Sequence, residues 1–267
     1  MALIMVLWVT AALAIVVTSI GYMVKGELRQ VAAVRTGAAD RAMGRAAMAL
    51  ALQELDASNR RRLERPERHT YLFEGTAVDV LALPLNGLLD INRAPVALLA
   101  ALFQHAGGLA PDAAQNLAAA LIEIRSARTP QGATAQFDAI EDLLQLPGVD
   151  YELYARLAPL ITVNAGGSSQ VNPYAAPPAL LRVLAEGNQA AVAAFEAGRD
   201  SGTADQSGFN PAFLTSSGSN RLRLYAQPAE SAQAISTVAC DVTFFGRRSG
   251  ALPWESQQCD APTTPMW

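Results

Sequence analysis

The sequence is poor in charged residues, in cysteine and in histidine. Only 16% of its 267 residues are charged, whereas an average soluble domain has about 25%. Two cysteines exclude a small scaffold built on disulfides, and an apolar content of 51% excludes a disordered chain. The histidines, His69 and His105, lie far apart with no cluster at metal-ligand spacing, and no nucleophile-elbow, zincin or phosphate-loop motif occurs. We therefore expect no enzyme activity.

Charge is entirely absent from the first 24 residues, which also lack proline. As a helix they would span about 36 Å, more than the roughly 30 Å hydrocarbon core of a bilayer. A cleaved signal peptide would need a basic segment ahead of the apolar run. An uncharged run of this length at a terminus also argues against a buried core helix. We therefore predict a transmembrane helix over residues 1–24.

The residues after this span continue the helix in amphipathic form. Lys25, Arg29 and Arg35 follow the span directly, and the first proline is Pro66. The positive-inside rule would hold these cations in the cytoplasm, and one resolution is that a basic leader preceded Met1. The sequence predicts a stem helix continuing over 25–65, with apolar residues at steps of three and four. This stripe comprises Leu28, Val31, Ala39, Ala42, Met43, Ala46 and Leu50.

The net charge of −4 is unevenly distributed. Residues 1–69 hold ten basic and six acidic side chains, and residues 70–267 hold ten basic and eighteen acidic ones. An acidic body repels phosphate backbones, so we expect no nucleic-acid partner. The basic stem beside an uncharged terminus points to a membrane surface instead.

Beyond the stem, strand patterns flank a helical region. Residues 66–89 include an alternating, aromatic-rich stretch that predicts a hairpin over 70–83, with its turn at Glu74 and Gly75. Proline and glycine punctuate residues 90–198, and this pattern predicts helices at 95–103, 111–127, 137–146, 150–160, 177–186 and 188–197. A loop over 199–220 precedes the C-terminal region 221–267, with strands at 221–227 and 234–245. We expect residues 246–267 to be loosely ordered.

Two helix openings inside this region resemble each other. DINRAPVALLAAL at residues 90–102 and NPYAAPPALLRVL at residues 172–184 agree at six of thirteen aligned positions. The repeat predicts two similar loop-to-helix units within one helical subdomain.

A Leu-Pro-Gly-Val turn at residues 146–149 matches the hairpin of helix-hairpin-helix modules, whose backbone N–H groups contact a DNA phosphate. Such modules normally place basic residues nearby. Here Arg156 is the one nearby cation, among Asp138, Glu141, Asp142, Asp150 and Glu152. We therefore interpret the turn as a packing element rather than a DNA contact.

Two further candidate sites lie near the C-terminus. Cys240 and Cys259 could close a loop of about 20 residues, worth roughly 3 kcal/mol in the chain-entropy model. Such a bond requires an oxidising compartment. We expect the disulfide, with two free thiols as the alternative. Asp200, Asp205 and Asn210 have the oxygen-rich setting of a calcium loop without EF-hand spacing, so we favour a solvated loop.

Taken together, these segments resemble a known family. An uncharged N-terminal helix that runs into an amphipathic one and is followed by strands looks like a type IV pilin or pseudopilin. Most such proteins carry Glu at position 5, whereas this sequence has Met5. The sequence more closely resembles the K-type minor pseudopilins of type II secretion systems, which typically lack this Glu. The further points of resemblance are the Leu-Pro-Gly-Val turn and the opening with Asp90, Asn92, Ala94 and Pro95. Tyr174 departs from the family, which often has Asn there.

The resemblance implies a pilin-like α+β fold, in which a long N-terminal helix packs on a small antiparallel sheet with a large all-α insertion. It further implies leader removal by prepilin peptidase, methylation of Met1, and a body in the periplasm anchored in the bacterial inner membrane. The protein would lie at the pseudopilus tip with I-type and J-type minor pseudopilins and aid the export of folded proteins. Calcium binding in the family would involve Asp200 and Asp205. The alternatives are a membrane-anchored DNA-uptake protein and a type IV pilus tip component.

Overall fold

The computed structural model describes most of the chain beyond the N-terminal segment. It covers residue 8 and residues 31–32, 34–73, 75–127, 135–201, 203–229, 238–245 and 252–260. Apart from Trp8, the predicted span over 1–24 lies outside the described residues, and so do Met1 and Met5. Within the described ranges, no helix combines the length and apolar character needed to cross a membrane.

Helix α1 occupies residues 34–57. The stripe that it buries consists of Ala47, Met48, Ala51, Leu52 and Leu55. The predicted stripe is wrong by one position at this end, because Ala46 and Leu50 are exposed. The helix ends where Asn59 adopts a left-handed φ of 59°, and the Arg60 N–H donates to the Leu55 carbonyl at 2.8 Å.

One face of α1 packs on an antiparallel sheet. Its strands are β1 (Glu67–Phe73), β2 (Thr76–Pro84), β5 (Arg221–Pro228), β6 (Val238–Phe244) and β7 (Trp254–Asp260), in spatial order β1-β2-β5-β6-β7. The first pair is the predicted hairpin. Side chains alternate between the two faces of a strand. Those that face α1 are Val78, Val80, Ala82, Leu222, Leu224, Ala226, Val238, Cys240, Val242 and Phe244.

Residues 85–220, between β2 and β5, are mainly helical. The α-helices described there are α2 (Val96–His105), α3 (Pro111–Ser126), α4 (Tyr151–Leu157), α5 (Pro178–Leu184) and α6 (Gln189–Arg199). A short parallel pair, β3 (Leu89–Asp90) and β4 (Ile161–Thr162), lies among them. This helical segment has its own core, separate from that of the sheet. Among its fully buried members are Leu98, Leu99, Leu102, Phe103, Leu121, Leu143, Leu157, Leu180, Leu181, Leu184 and Phe195.

Two sequence predictions in the helical segment need correction. The α-helix expected over 137–146 is a 3-10 turn at Ile140–Gln145. The Asp142 carboxylate accepts the backbone N–H groups of Asp138 and Ala139 at 3.0 and 3.1 Å, so the chain enters the turn extended. The loop expected over 199–220 includes a 3-10 turn at Pro211–Phe213, and Phe209 and Phe213 are buried in the helical core. Burial of these two phenylalanine side chains therefore orders part of residues 199–220, although the composition of this stretch is typical of a solvated loop.

The expectation of a loosely ordered tail is wrong for residues 254–260. They form β7, which pairs antiparallel with β6 from Trp254 opposite Phe244 onward. The stretch WESQQCD has weak intrinsic strand preference. Hydrogen bonds to β6 therefore decide its conformation.

The sheet and the helical segment meet at the end of β2. The Asn172 backbone N–H donates to the Asn86 carbonyl at 2.8 Å, and the Asn172 side chain donates to the Glu64 carbonyl at 2.6 Å. Gly87 lies against the backbone of Ala175, so closely that an added Cβ would stand 2.1 Å from the Ala175 oxygen. The second repeated opening is therefore fixed directly onto the sheet unit.

Candidate interaction surfaces

The two repeated openings adopt the same local structure. The Asp90 carboxylate accepts the Asn92 N–H at 2.9 Å, and the Asn172 side-chain oxygen accepts the Tyr174 N–H at 3.0 Å. Each turn leads to a proline that caps the following helix, α2 or α5. This shared geometry confirms the two similar loop-to-helix units predicted from the sequence.

In each unit, an arginine near the end of the second helix donates hydrogen bonds to backbone carbonyl groups of the opening. Arg125, near the end of α3, donates to the carbonyl oxygens of Ile91 at 2.9 Å and Ala94 at 2.7 Å. Arg199, at the end of α6, donates to the carbonyl oxygens of Tyr174 at 2.7 Å and Ala176 at 2.9 Å in the second opening. Burial lowers the pKa of both guanidinium groups. The alignment of the two repeats did not reveal these arginines, because Arg125 and Arg199 lie at different sequence distances from their openings.

Replacing Arg125 with alanine is expected to lower the free energy of unfolding by about 2 kcal/mol, because two half-buried carbonyl groups lose a charged donor. Arg156→Ala is the control, since Arg156 makes only an exposed pair with Glu152 at 3.4 Å that is worth less than about 1 kcal/mol. Urea unfolding of the full chain in detergent measures both. Equal losses in the two variants would contradict a structural role for Arg125.

The Leu-Pro-Gly-Val turn packs inward. Leu146 and Val149 are buried in the helical core, and Gly148 has a φ of +92°. The Asp150 carboxylate caps α4 by accepting the Leu153 N–H at 2.7 Å. The turn therefore serves packing, and a carboxylate occupies the helix start where a DNA phosphate would have to approach.

Cys240 and Cys259 stand directly opposite each other on β6 and β7, and the structure joins them in a disulfide.

Asp205 accepts the backbone N–H and the hydroxyl of Ser207 at 2.8 and 3.0 Å, and these hydrogen bonds lower the pKa of Asp205. Asp200 caps the end of α6. Across the described ranges, no three His, Cys, Asp or Glu side chains are arranged to hold a metal. Calcium binding by Asp200 and Asp205 therefore stays a prediction.

The two histidines lie in separate places. His69 on β1 lies between Glu54 at 3.4 Å and Glu67 at 3.5 Å. The Tyr71 hydroxyl donates to Glu54 at 2.6 Å, and this hydrogen bond lowers the pKa of Glu54. These contacts join the end of α1 to β1. His105, at the end of α2, packs over Gly187.

A cleft of about 570 Å³ separates the helical segment from the sheet face that points away from α1. Its floor is formed mainly by alternate residues of β5 and β6, namely Arg221, Arg223, Tyr225, Ala239, Asp241 and Thr243. Its wall includes aliphatic residues of the helical segment: Leu85, Leu88, Ile140, Pro159, Ile161 and Val163. Asp138 and Glu141 also line it. This volume falls within the range of roughly 300–1,000 Å³ that is usual for ligand clefts.

The two arginines on this floor differ in their partners. Arg223 donates to both oxygens of Asp241, at 2.6 and 2.8 Å. Although burial opposes the charged form, this pairing raises the pKa of Arg223 above its ordinary value. Among the described residues, no hydrogen bond or ion pair reaches the Arg221 guanidinium, and its Nη1 atom is buried. Arg221 is therefore the arginine of the floor that forms no ion pair among the described residues.

Asp90 lies near Arg221 but does not pair with it. Its two carboxylate oxygens accept the N–H groups of Asn92 and Ala165, both at 2.9 Å. Burial raises the pKa of Asp90, against the lowering effect of these two hydrogen bonds and, more weakly, of the nearby charges of Arg93 and Arg221. Asp90 therefore uses both of its carboxylate oxygens to accept backbone N–H groups and forms no ion pair with Arg221.

No protein-family model matches the chain, and no curated protein matches it. A chain of the crystal structure of the GspK-GspI-GspJ complex from the enterotoxigenic Escherichia coli type 2 secretion system is similar in structure. The two chains are 16% identical, with a TM-score of 0.53, and the likeness covers 82% of this chain and 94% of that one. The chain therefore has a pseudopilin-like fold.

Proposed function

We propose that this protein is a K-type minor pseudopilin at the tip of a type II secretion pseudopilus, where it starts assembly with I-type and J-type partners and aids the export of folded proteins. The observation that carries the proposal is the structural likeness over 82% of the chain. The chain also has a helical segment at 85–220 that interrupts the sheet strands. The proposal includes no enzymatic activity.

The sequence supports the location that this function requires. The uncharged residues 1–24 would anchor the chain in the inner membrane, after prepilin peptidase removes a leader and Met1 is methylated. The disulfide between Cys240 and Cys259 suits an oxidising compartment such as the periplasm. Both features agree with a single-pass protein whose body lies in the periplasm.

A tip position has a physical rationale in Met5. A fifth-position carboxylate in other subunits can pair with the N-terminal amine of a neighbour, where an unpaired charge in the membrane is costly. Met5 has no carboxylate to offer to a subunit above it. The helical segment adds bulk that would obstruct such a subunit. Both features favour a capping role.

Co-purification with I-type and J-type pseudopilins from detergent-solubilised membranes tests the proposal. We expect the three proteins to elute together. Val31 and Val34 on the stem are 64% and 68% exposed, so Val31→Asp with Val34→Asp should abolish co-elution without unfolding the body. Leu72→Asp on β1, at a residue 76% exposed, is the matched control and should retain both partners. If neither partner elutes with the natural chain, or if the chain shows salt-sensitive DNA binding in a gel shift, the proposal is wrong.

A further inference from the structure

The cleft between the sheet and the helical segment has the chemistry of a binding site that the pseudopilus role does not use. Its floor presents Arg221, whose guanidinium has no hydrogen-bond or ion-pair partner among the described residues. The other floor arginine, Arg223, is already neutralised by Asp241 at 2.6 Å. A ligand entering this cleft therefore meets one available positive charge.

A carboxylate is the group that best complements Arg221. A guanidinium forms its strongest contacts with carboxylates, through paired and charge-assisted hydrogen bonds. Asp138 and Glu141 also line the cleft and would repel a second acidic group. A ligand with one acidic group, placed on Arg221, therefore suits this lining better than a ligand with two.

The shape of the cleft favours an extended chain. Arg221, Arg223 and Tyr225 lie along β5 in one line, and four residue steps at about 3.3 Å give a length of about 13 Å. The part of the lining that the helical segment contributes includes the aliphatic residues Leu85, Ile140 and Val163. A peptide of about four extended residues matches this length, and its aliphatic side chains would bury the wall.

We propose that this cleft binds an extended peptide segment of a partner protein, with one acidic side chain on Arg221 and neighbouring aliphatic side chains against the wall. The partner is defined here by this chemistry alone. The inference goes beyond the pseudopilus role and does not depend on it.

Selection of random heptapeptides displayed on phage against the detergent-solubilised full chain tests the proposal. We expect the enriched peptides to share one Asp or Glu flanked by aliphatic residues. Thr243 lies on the cleft floor, so Thr243→Trp should fill the cleft and abolish binding. Leu72→Trp, at an exposed residue on β1, is the matched control and should bind as the natural chain does. Absence of enrichment, or equal binding by Thr243→Trp, would overturn the proposal.

A double-mutant cycle separates ion pairing from a merely structural role of Arg221. A selected peptide and its amide analogue, with Gln or Asn in place of the acid, are measured by fluorescence anisotropy against the natural chain and Arg221→Gln. We expect each change alone to weaken binding by about tenfold or more, and both together to weaken it no further than one alone. Additive losses would contradict the contact. Should Arg221→Gln fail to fold, the amide peptide and Thr243→Trp still decide the outcome.

Discussion

Replacing Gly87 with alanine is expected to lower the free energy of unfolding by about 3 kcal/mol, at the upper end of what overpacking produces. The added Cβ would stand 2.1 Å from the Ala175 oxygen and 2.7 Å from the Ala175 Cβ. The Ala175 carbonyl carbon, at 2.4 Å, is also close, and neither backbone atoms nor a Cβ can rotate away from the clash. Gly87 is buried in a 3-10 turn, and the effect is steric rather than conformational because its φ is not positive.

The clash would also weaken the contact between the second repeated opening and the turn that follows β2. The Asn172 N–H donates to the Asn86 carbonyl at 2.8 Å beside Gly87, and moving Ala175 away would stretch this bond. Gly37→Ala is the control, because its Cβ would meet nothing closer than 3.8 Å on α1. Alanine is favoured over glycine inside a helix by up to about 1 kcal/mol, so this change should not destabilise. Urea unfolding followed by circular dichroism measures both variants, and a loss below about 1 kcal/mol for Gly87→Ala would contradict the close approach.

Removing the disulfide is expected to lower the free energy of unfolding by about 3 kcal/mol. Cys240→Ala with Cys259→Ala removes a bond that spans 19 positions of sequence, which frees the unfolded chain of a closed loop. The strand affected first should be β7, because it lies at the sheet edge and pairs only with β6 among the described strands. Cys240 itself is buried, so truncating it adds a small packing loss.

Reductant provides the internal control for this prediction. Dithiothreitol should destabilise the natural chain by a similar amount and leave the double-alanine variant unchanged. Thiol titration of the unfolded, unreduced chain should detect no free thiol. Free thiols in that assay, or a natural chain that is indifferent to reductant after its thiols are shown to be reduced, would contradict the pairing.

The parts of the fold that the sequence predicted well are those fixed locally. Helices α2, α3 and α5 begin at or beside a proline, and α2 and α5 are followed closely by Gly107 and Gly187, where backbone restrictions act within a few residues. The hairpin of β1 and β2 follows from alternation around Gly75. The repeat of residues 90–102 at 172–184 was visible because both copies carry the same turn, closed by Asp90 or Asn172.

The parts that the sequence could not predict depend on distant residues. Strand β7 is polar and forms because β6 offers it hydrogen-bond partners. The stripe on α1 was misplaced by one residue because alanine fits either a buried or an exposed position. Arg125 and Arg199 were missed because their carbonyl partners lie between 23 and 34 positions away.

The sequence by itself determined three properties of this protein. Its scarcity of cysteine excludes a disulfide scaffold, its N-terminal segment is uncharged, and a basic stem precedes an acidic body. Only the tertiary structure decided which groups remain available for binding. It paired Arg223 with Asp241, placed both oxygens of Asp90 on backbone donors, and left Arg221 in a cleft with no ion pair among the described residues. The reason is physical: composition and local pattern fix what each segment can form, whereas the partner of a charged side chain depends on packing between segments distant in sequence.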